Sequence, residues 1–302
     1  MKAFLTGGTG YIGRHVVRAL IERGTHCAVV SRAGTDPWHD DRVRVIRGDP
    51  RTGGAWQEAL AGADLVINLA GAAIVEPPKW WTDTRKRLIR SSRIDTTQRL
   101  SETIRTLAPP PAMFVSGSAV GYYGSRDDDV LDEDAGPGDD FLADLCVEWE
   151  AAAREVADMT TVLRLRMAPV LGVDSPLFRP MIPPFKLGIG GPWGSGKQWW
   201  PWIHIDDVVG LLLHAIDRRA NGALNVVAPS PVTVHDFAKA LGHALGRPAV
   251  ARVPAFVLRM SFGEAADALL ASQRVDPARA RALGYQFRLP DLAAALGDVF
   301  GR

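Results

Sequence analysis

The chain opens MKAFLTGGTGYIG, a short apolar run followed at once by Gly7, Gly10 and Gly13 at three-residue intervals. Residues 2–6 read as a strand and residues 11–23 as a helix closed by Gly24. A glycine turn between a strand and a helix leaves few folds open. Gly7 permits a tight turn, and Gly10, lacking a Cβ, lets main-chain N–H groups approach a diphosphate. Gly13 lets the helix pack closely on the sheet. Thr9, Tyr11 and Ile12 complete the loop. The helix start adds unpaired N–H groups and the positive end of the helix dipole. The pattern is that of a dinucleotide cradle; its plain alternative is a glycine turn with no ligand.

The rest of the first half repeats the theme. Apolar runs at 27–30, 43–46, 64–70, 112–116 and 160–166 read as buried parallel strands. A single long helix is expected over 82–107, stopped by Pro109, Pro110 and Pro111, and another over 141–158. Strands alternating with helices imply an α/β Rossmann fold, a doubly wound parallel sheet. After Pro169 the character changes. Residues 172–202 are rich in Gly, Pro and Trp; a helix (206–218), a strand (223–227) and a helix (234–245) follow, then a mostly helical tail from Pro254. Residues 1–170, with a returning segment at about 203–228, are therefore assigned to the nucleotide-binding domain. Residues 171–202 and 229–302 are assigned to a smaller, mostly helical C-terminal cap, with its terminal domain at about 250–298.

The second strand ends Val30-Ser31-Arg32, with no carboxylate to accept from a ribose 2′-hydroxyl. Ser31 and Arg32 suit a 2′-phosphate, which points to NADP(H) over NAD(H); a solvated surface arginine is the alternative. Asp49 is placed either to accept from the adenine amino group or simply to form a turn.

The 302 residues carry a net charge of +1, which gives no reason to expect nucleic acid. Cys27 and Cys146 lie apart with no CxxC spacing, so a reduced, cytoplasmic protein is expected. VVGLLLHAI is too short to span a bilayer, so no membrane partner is expected. No histidine spacing suggests a metal. His204-Ile205-Asp206-Asp207 reads as a latch, with Asp206 or Asp207 capping the next helix. Tryptophan is the oddity, at nine residues, several of them paired; these either pack the core or wall a pocket.

TGGTGYIG, NLAGA (68–72), SGSAVGYYG (116–124) and WIHIDDVV (202–209) together resemble the landmarks of extended short-chain dehydrogenase/reductases. Trp80, Arg85, Ile89, Ser92, Arg93 and Thr96, with GIGGPWGSGKQWWPWIHIDD and the tail PAFVLRMSFGEAADALLASQRVDPARARALGYQF, narrow the likeness to the atypical, YfcH-like epimerase-family subgroup. The resemblance implies an NADP-type cofactor touching Leu69, Ala70, Gly71 and Ser116 beside the glycine loop. It also implies an oxidoreductase or nucleoside-sugar-epimerase-like activity on a small molecule. A homodimer follows by analogy.

The same resemblance exposes a gap. The family serine corresponds to Ser118, which either bonds substrate or caps a turn. The family's tyrosine and lysine, four apart on the following helix, fall on Leu142 and Cys146 when Glu150 is aligned with the family glutamate. Leucine exchanges no proton, and Cys146 brings no cation to lower a neighbour's pKa. Tyr122 and Tyr123 are the substitute candidates, with Arg93 or Arg166 as partners; packing is their alternative role. Trp80, Arg93, Trp199 and Trp200 are the candidate substrate residues. A cofactor-binding sensor without turnover stands as the second reading.

Overall fold

A computed structural model describes residues 1–75 and 80–301. Its strands are β1 (Lys2–Thr6), β2 (His26–Ser31), β3 (Val43–Arg47), β4 (Leu65–Asn68), β5 (Met113–Ala119), β6 (Val130–Leu131), β7 (Thr161–Met167), β8 (Val170–Leu171), β9 (Trp199–Trp200), β10 (Ile203–His204), β11 (Gly222–Val226), β12 (Val232–Thr233) and β13 (Arg274–Val275). The helices are α1 (Tyr11–Glu22), α2 (Asp83–Ser91), α3 (Ile94–Arg105), α4 (Phe141–Arg154), α5 (Ile182–Lys186), α6 (Ile205–Asp217), α7 (Val234–Leu245), α8 (Ala255–Phe262), α9 (Asp267–Leu270), α10 (Ala278–Ala282) and α11 (Leu292–Phe300). Seven strands form one sheet in the order β11-β7-β5-β4-β1-β2-β3. Every pairing in it is parallel.

The inner strands of this sheet are covered on both sides, so their side chains are mostly apolar in both directions, whereas the edge strand β3 keeps Arg44 and Arg47 exposed. Phe4, Val66, Phe114 and Val162 face one way, onto Trp56, Leu100, Ile104 and Ala153. Leu5, Ile67, Val115 and Leu163 face the other, onto Val16 and Leu20 of α1 and Val208, Leu211 and Leu212 of α6. Each such side chain stabilises the fold by about 1.5–3 kcal/mol when buried. A separate apolar cluster holds Phe178, Phe185, Trp193, Trp200, Trp202, Phe237, Leu241, Leu292 and Leu296. It joins the Gly-Pro-Trp stretch to α7 and α11.

The structure departs from the expected elements in one instructive place. The helix expected over 82–107 is two helices, broken at Ser92 and Arg93. Ser91 Oγ and Ser92 Oγ donate back to the Leu88 and Ile89 carbonyls at 3.4 and 3.0 Å, bonds that loosen a helix at that point. Arg93 N–H then bonds three residues back, to the Arg90 carbonyl. The helix expected over 141–158 ends at Arg154 and runs on as turns.

The carboxy-terminal segment is clamped to α6, which packs on the parallel sheet, by one buried carboxylate. Asp207 accepts from Tyr285 Oη at 2.9 Å and from the main-chain N–H groups of Arg288 and Leu289 at 2.7 and 2.9 Å. Neither Asp206 nor Asp207 caps α6 with its side chain. His204 does, its Nδ1 accepting from the Asp206 N–H at 3.3 Å. Among the described residues, no helix is long and apolar enough to cross a membrane.

Candidate active site

Strand order reverses between β1 and β4, and there a cavity of about 560 Å³ opens. The crevice at such a reversal is where open α/β sheets bind ligands. Its wall contains Gly7, Gly10, Tyr11, Ile12 and Gly13 after β1, and Leu69, Ala70 and Gly71 after β4. Ser118, Arg93 and Trp200 also line it, as do Leu142 and Cys146.

The glycines are forced by space as much as by conformation. Gly7 has φ +72°, and a Cβ there would overlap the Leu69 carbonyl. A Cβ on Gly13 would overlap the Gly7 carbonyl and Gly8, so this glycine packs α1 against its own loop rather than against the sheet. Gly10 is the N-cap of α1 and gives the helix no side-chain cap, so the amides of the first turn have no side-chain partner at this wall. An anion is the complement of that arrangement. The diphosphate of a dinucleotide fits it: the donors are main-chain N–H groups and no Cβ intrudes.

Ser31 is buried at the tip of β2 and Arg32 is exposed beside it. Asp49 has both carboxylate oxygens on Arg51, at 3.0 and 2.5 Å, and accepts from the Arg51 N–H. Those Arg51 bonds hold its carboxyl below the ordinary range. Thr9 lies in the turn but outside the cavity wall. Ser116 is fully buried within β5, its hydroxyl donating to the Gly117 carbonyl at 3.2 Å.

Beneath the cavity lies a charged network. Ser118 Oγ donates to Glu150 Oε1 at 2.9 Å. The Glu150 carboxylate is also gripped by Arg166 Nε at 2.8 Å and Arg164 Nη1 at 2.8 Å. Ser118 has thus spent its proton inside the protein and faces the cavity with lone pairs. Burial opposes the charge on Arg166, but its bonds to Glu150 outweigh that and raise its pKa.

Both candidate tyrosines are corrected by this network. Tyr123 is fully buried; its hydroxyl donates to Asn225 Oδ1 at 2.6 Å and accepts from Arg166 Nη1 at 3.0 Å. Burial pushes its pKa up to about 12. Tyr122 stacks its ring 3.6 Å from Arg166 Cζ. Neither lines the cavity, because the short helix Val120–Tyr123 turns both back toward the sheet. Burial, with Glu150 nearby, pushes the Cys146 thiol up to about 12, so it is neither thiolate nor cation at neutral pH.

Two tryptophan assignments also change. Trp80 is 55% exposed and donates to the Ser261 carbonyl at 3.1 Å, outside the cavity. Its neighbour Trp81 is the buried wall residue. Trp199 points away, donating to Asp128 and lying against Arg274, whereas Trp200 on the opposite face of β9 lines the cavity. The sequence reading also missed Trp149, Leu145 and Gln273 in the wall. Arg164 and Arg166 carried a usable signal: two arginines on one face of an otherwise apolar strand need a buried counter-ion.

His204, Asp206 and Asp298 converge, their ligand atoms within 4.8 Å of one another. His204 Nδ1 is already the helix cap, and Asp206 is paired with Arg288 at 2.9 Å. Sequence spacing could not have brought in Asp298, which arrives on α11.

Known proteins share this architecture. The NAD dependent epimerase/dehydratase family matches residues 3–227, and DUF1731, a domain of unknown function, matches residues 253–299. Epimerase family protein SDR39U1 of Mus musculus is 40% identical over 305 residues, covering 99% of both chains. The chloroplastic SDR39U1 homolog of Arabidopsis thaliana is 36% identical, covering 99% of this chain and 86% of its own. The crystal structure of human SDR39U1 with NADPH superposes with a TM-score of 0.89 at 38% identity, covering 100% of both chains. The nucleoside-diphosphate sugar epimerase from Corynebacterium glutamicum superposes with a TM-score of 0.74 at 31% identity, covering all of this chain and 58% of that one. The chain belongs to the NAD dependent epimerase/dehydratase family and carries a DUF1731 domain at its carboxy-terminal end.

Proposed function

We propose that the chain is an NADP(H)-dependent oxidoreductase, epimerase-like in fold, acting on a small molecule held between the sheet and the carboxy-terminal region. The observation that carries this reading is the continuity of one cavity. It runs from the uncapped start of α1 to a chamber walled by α4 and by Trp200, Leu269 and Gln273. The human relative solved with NADPH supports the choice of cofactor, as do Ser31 and Arg32 at the tip of β2.

Bound NADPH would supply a hydride. The first-turn amides of α1 hold the diphosphate, and Arg32 meets the 2′-phosphate. Ser118 accepts a hydrogen bond from a substrate hydroxyl, since its own proton is held by Glu150. Tyr11 is a phenol in the wall; burial pushes its pKa up to about 12, so it stays a neutral donor. Leu142 and Cys146 close the family's usual proton route. They favour a second reading, an NADP(H)-binding protein that reports cofactor level without turnover. Pairing of two copies through α3 and α4, which flank β4 and β5, belongs to the proposal and is tested by light scattering.

The deciding experiment titrates NADPH and NADH into the protein, then follows the reduced cofactor's absorbance with a panel of carbonyl compounds. Preferential NADPH binding with turnover is expected. Tight binding without turnover across the panel transfers the case to the sensor reading. Equal affinity for both cofactors, or equal losses on Arg32→Ala, removes the NADP(H) assignment.

A further inference from the structure

Arg93 lines the cavity and has no part in the mechanism above. It sits at the break between α2 and α3 with 9% of its surface exposed. Its Nη1 donates to the Ile89 carbonyl at 3.2 Å and lies 3.4 Å from Ser92 Oγ. Among the described residues, Nε and Nη2 have no hydrogen-bond partner, and the guanidinium forms no ion pair. One face of the group lies 5.3 Å from the Trp149 ring centroid. Gly71 gives it room: a Cβ there would stand 2.9 Å from Cζ and 3.0 Å from Nη2. Burial lowers its pKa to about 10, and the charge of Arg85 acts in the same direction. The acidic residues of the same wall are engaged elsewhere, Glu264 with Lys86, Asp267 with Arg259, and Asp140 with the main-chain N–H groups of Leu142 and Ala143.

A buried cation without a counter-ion is expensive unless something else meets it. The free Nε and Nη2 form the side of the guanidinium that accepts a carboxylate through two parallel bonds. Around it the wall is apolar: Trp81, Trp149, Leu145, Ile74 and Phe141. This end of the cavity rests on a different hydrophobic cluster from the end that holds the glycine loop.

We propose that Arg93 binds the carboxylate of a substrate whose remaining body is apolar. The inference rests on the proposed function, which gives the glycine-loop end to the cofactor and leaves this end for substrate. Arg93 meets an oxyanion in either case, and the competing source is the cofactor's own diphosphate.

The test is calorimetric titration of the NADPH-saturated protein with 3-phenylpropanoate and its neutral isostere 3-phenylpropanamide. The acid is expected to bind at least about tenfold tighter than the amide. Arg93→Gln should bring the acid down to the amide's level, and Arg93→Lys should keep part of the difference. NADPH affinity should stay within about threefold in both variants, because a diphosphate held by main-chain amides does not need this side chain. Equal binding of acid and amide overturns the proposal, and so does failure of the acid to bind. A loss of NADPH affinity in Arg93→Gln as large as the loss of acid affinity also overturns it, and assigns the arginine to the cofactor. If the wild-type protein takes up no NADPH, the cofactor reading falls separately; the acid–amide comparison on NADPH-free protein still decides the role of Arg93. Should Arg93→Gln not fold, the wild-type comparison and Arg93→Lys decide alone.

Discussion

A tyrosine inside a family motif can be chemistry or scaffolding, and its hydrogen bonds tell which. Tyr123 has both a donor and an acceptor partner inside the protein, Asn225 and Arg166, and no surface on the cavity. Its hydroxyl therefore holds the short helix after β5 against β7 and β11. Tyr123→Phe should destabilise the protein by about 1–2 kcal/mol, the range for a buried hydrogen bond that leaves partners unpaired. Urea unfolding measures this, and NADPH affinity should be unchanged. A variant of wild-type stability that had lost turnover would restore the tyrosine to the reaction. Ser118 is the converse case. The family position was legible in the sequence, but its donation to Glu150 was not, because that depends on Arg164 and Arg166 pinning the carboxylate from another strand.

Strands and helices were readable wherever burial was two-sided. Residues 3–5, 27–30 and 65–67 are continuous apolar runs, and a parallel sheet covered by helices permits little else. The break between α2 and α3 was invisible to periodicity, since Ser91 and Ser92 interrupt the main-chain ladder without changing the apolar stripe. The choice between Trp80 and Trp81 failed for a related reason: they precede α2 in a segment with no repeating phase. The Asp207 clamp lay equally hidden, because capping is a local pattern whereas its true partners lie on the carboxy-terminal segment. Asp207→Ala strands the N–H groups of Arg288 and Leu289, and should cost about 2–4 kcal/mol. Hydrogen exchange should show those two amides opening faster than the amides of β1 and β4. Uniform acceleration throughout the sheet would mean instead that the segment is not a separate unit.

The same junction makes the assembled molecule sensitive to acid. His204 is 2% exposed, caps α6 through Nδ1, and places Nε2 3.4 Å from Asp298 of α11. Burial lowers its pKa; Asp206, Asp298 and Asp207 pull the other way and Arg288 pushes with burial, leaving a net decrease. In the unfolded chain the ring titrates near about 6.5. Between that value and the lower folded one, the unfolded state binds the proton and the folded state does not. Stability contributed by neutral His204 is therefore intact above about pH 6.5 and falls with decreasing pH, at up to about 1.4 kcal/mol per pH unit. His15, lowered mainly by burial, acts in the same sense, and Glu133, raised by burial, acts in the opposite sense at lower pH. Glutamine at position 204 can still accept from the Asp206 N–H but cannot take a proton. His204→Gln should accordingly lose less Tm than wild type between pH 7.5 and 5.5, while His15 keeps part of the slope in both. Parallel melting curves for the two proteins would show that acid acts elsewhere, and that the joint between α6 and α11 is held by packing rather than by the neutral ring.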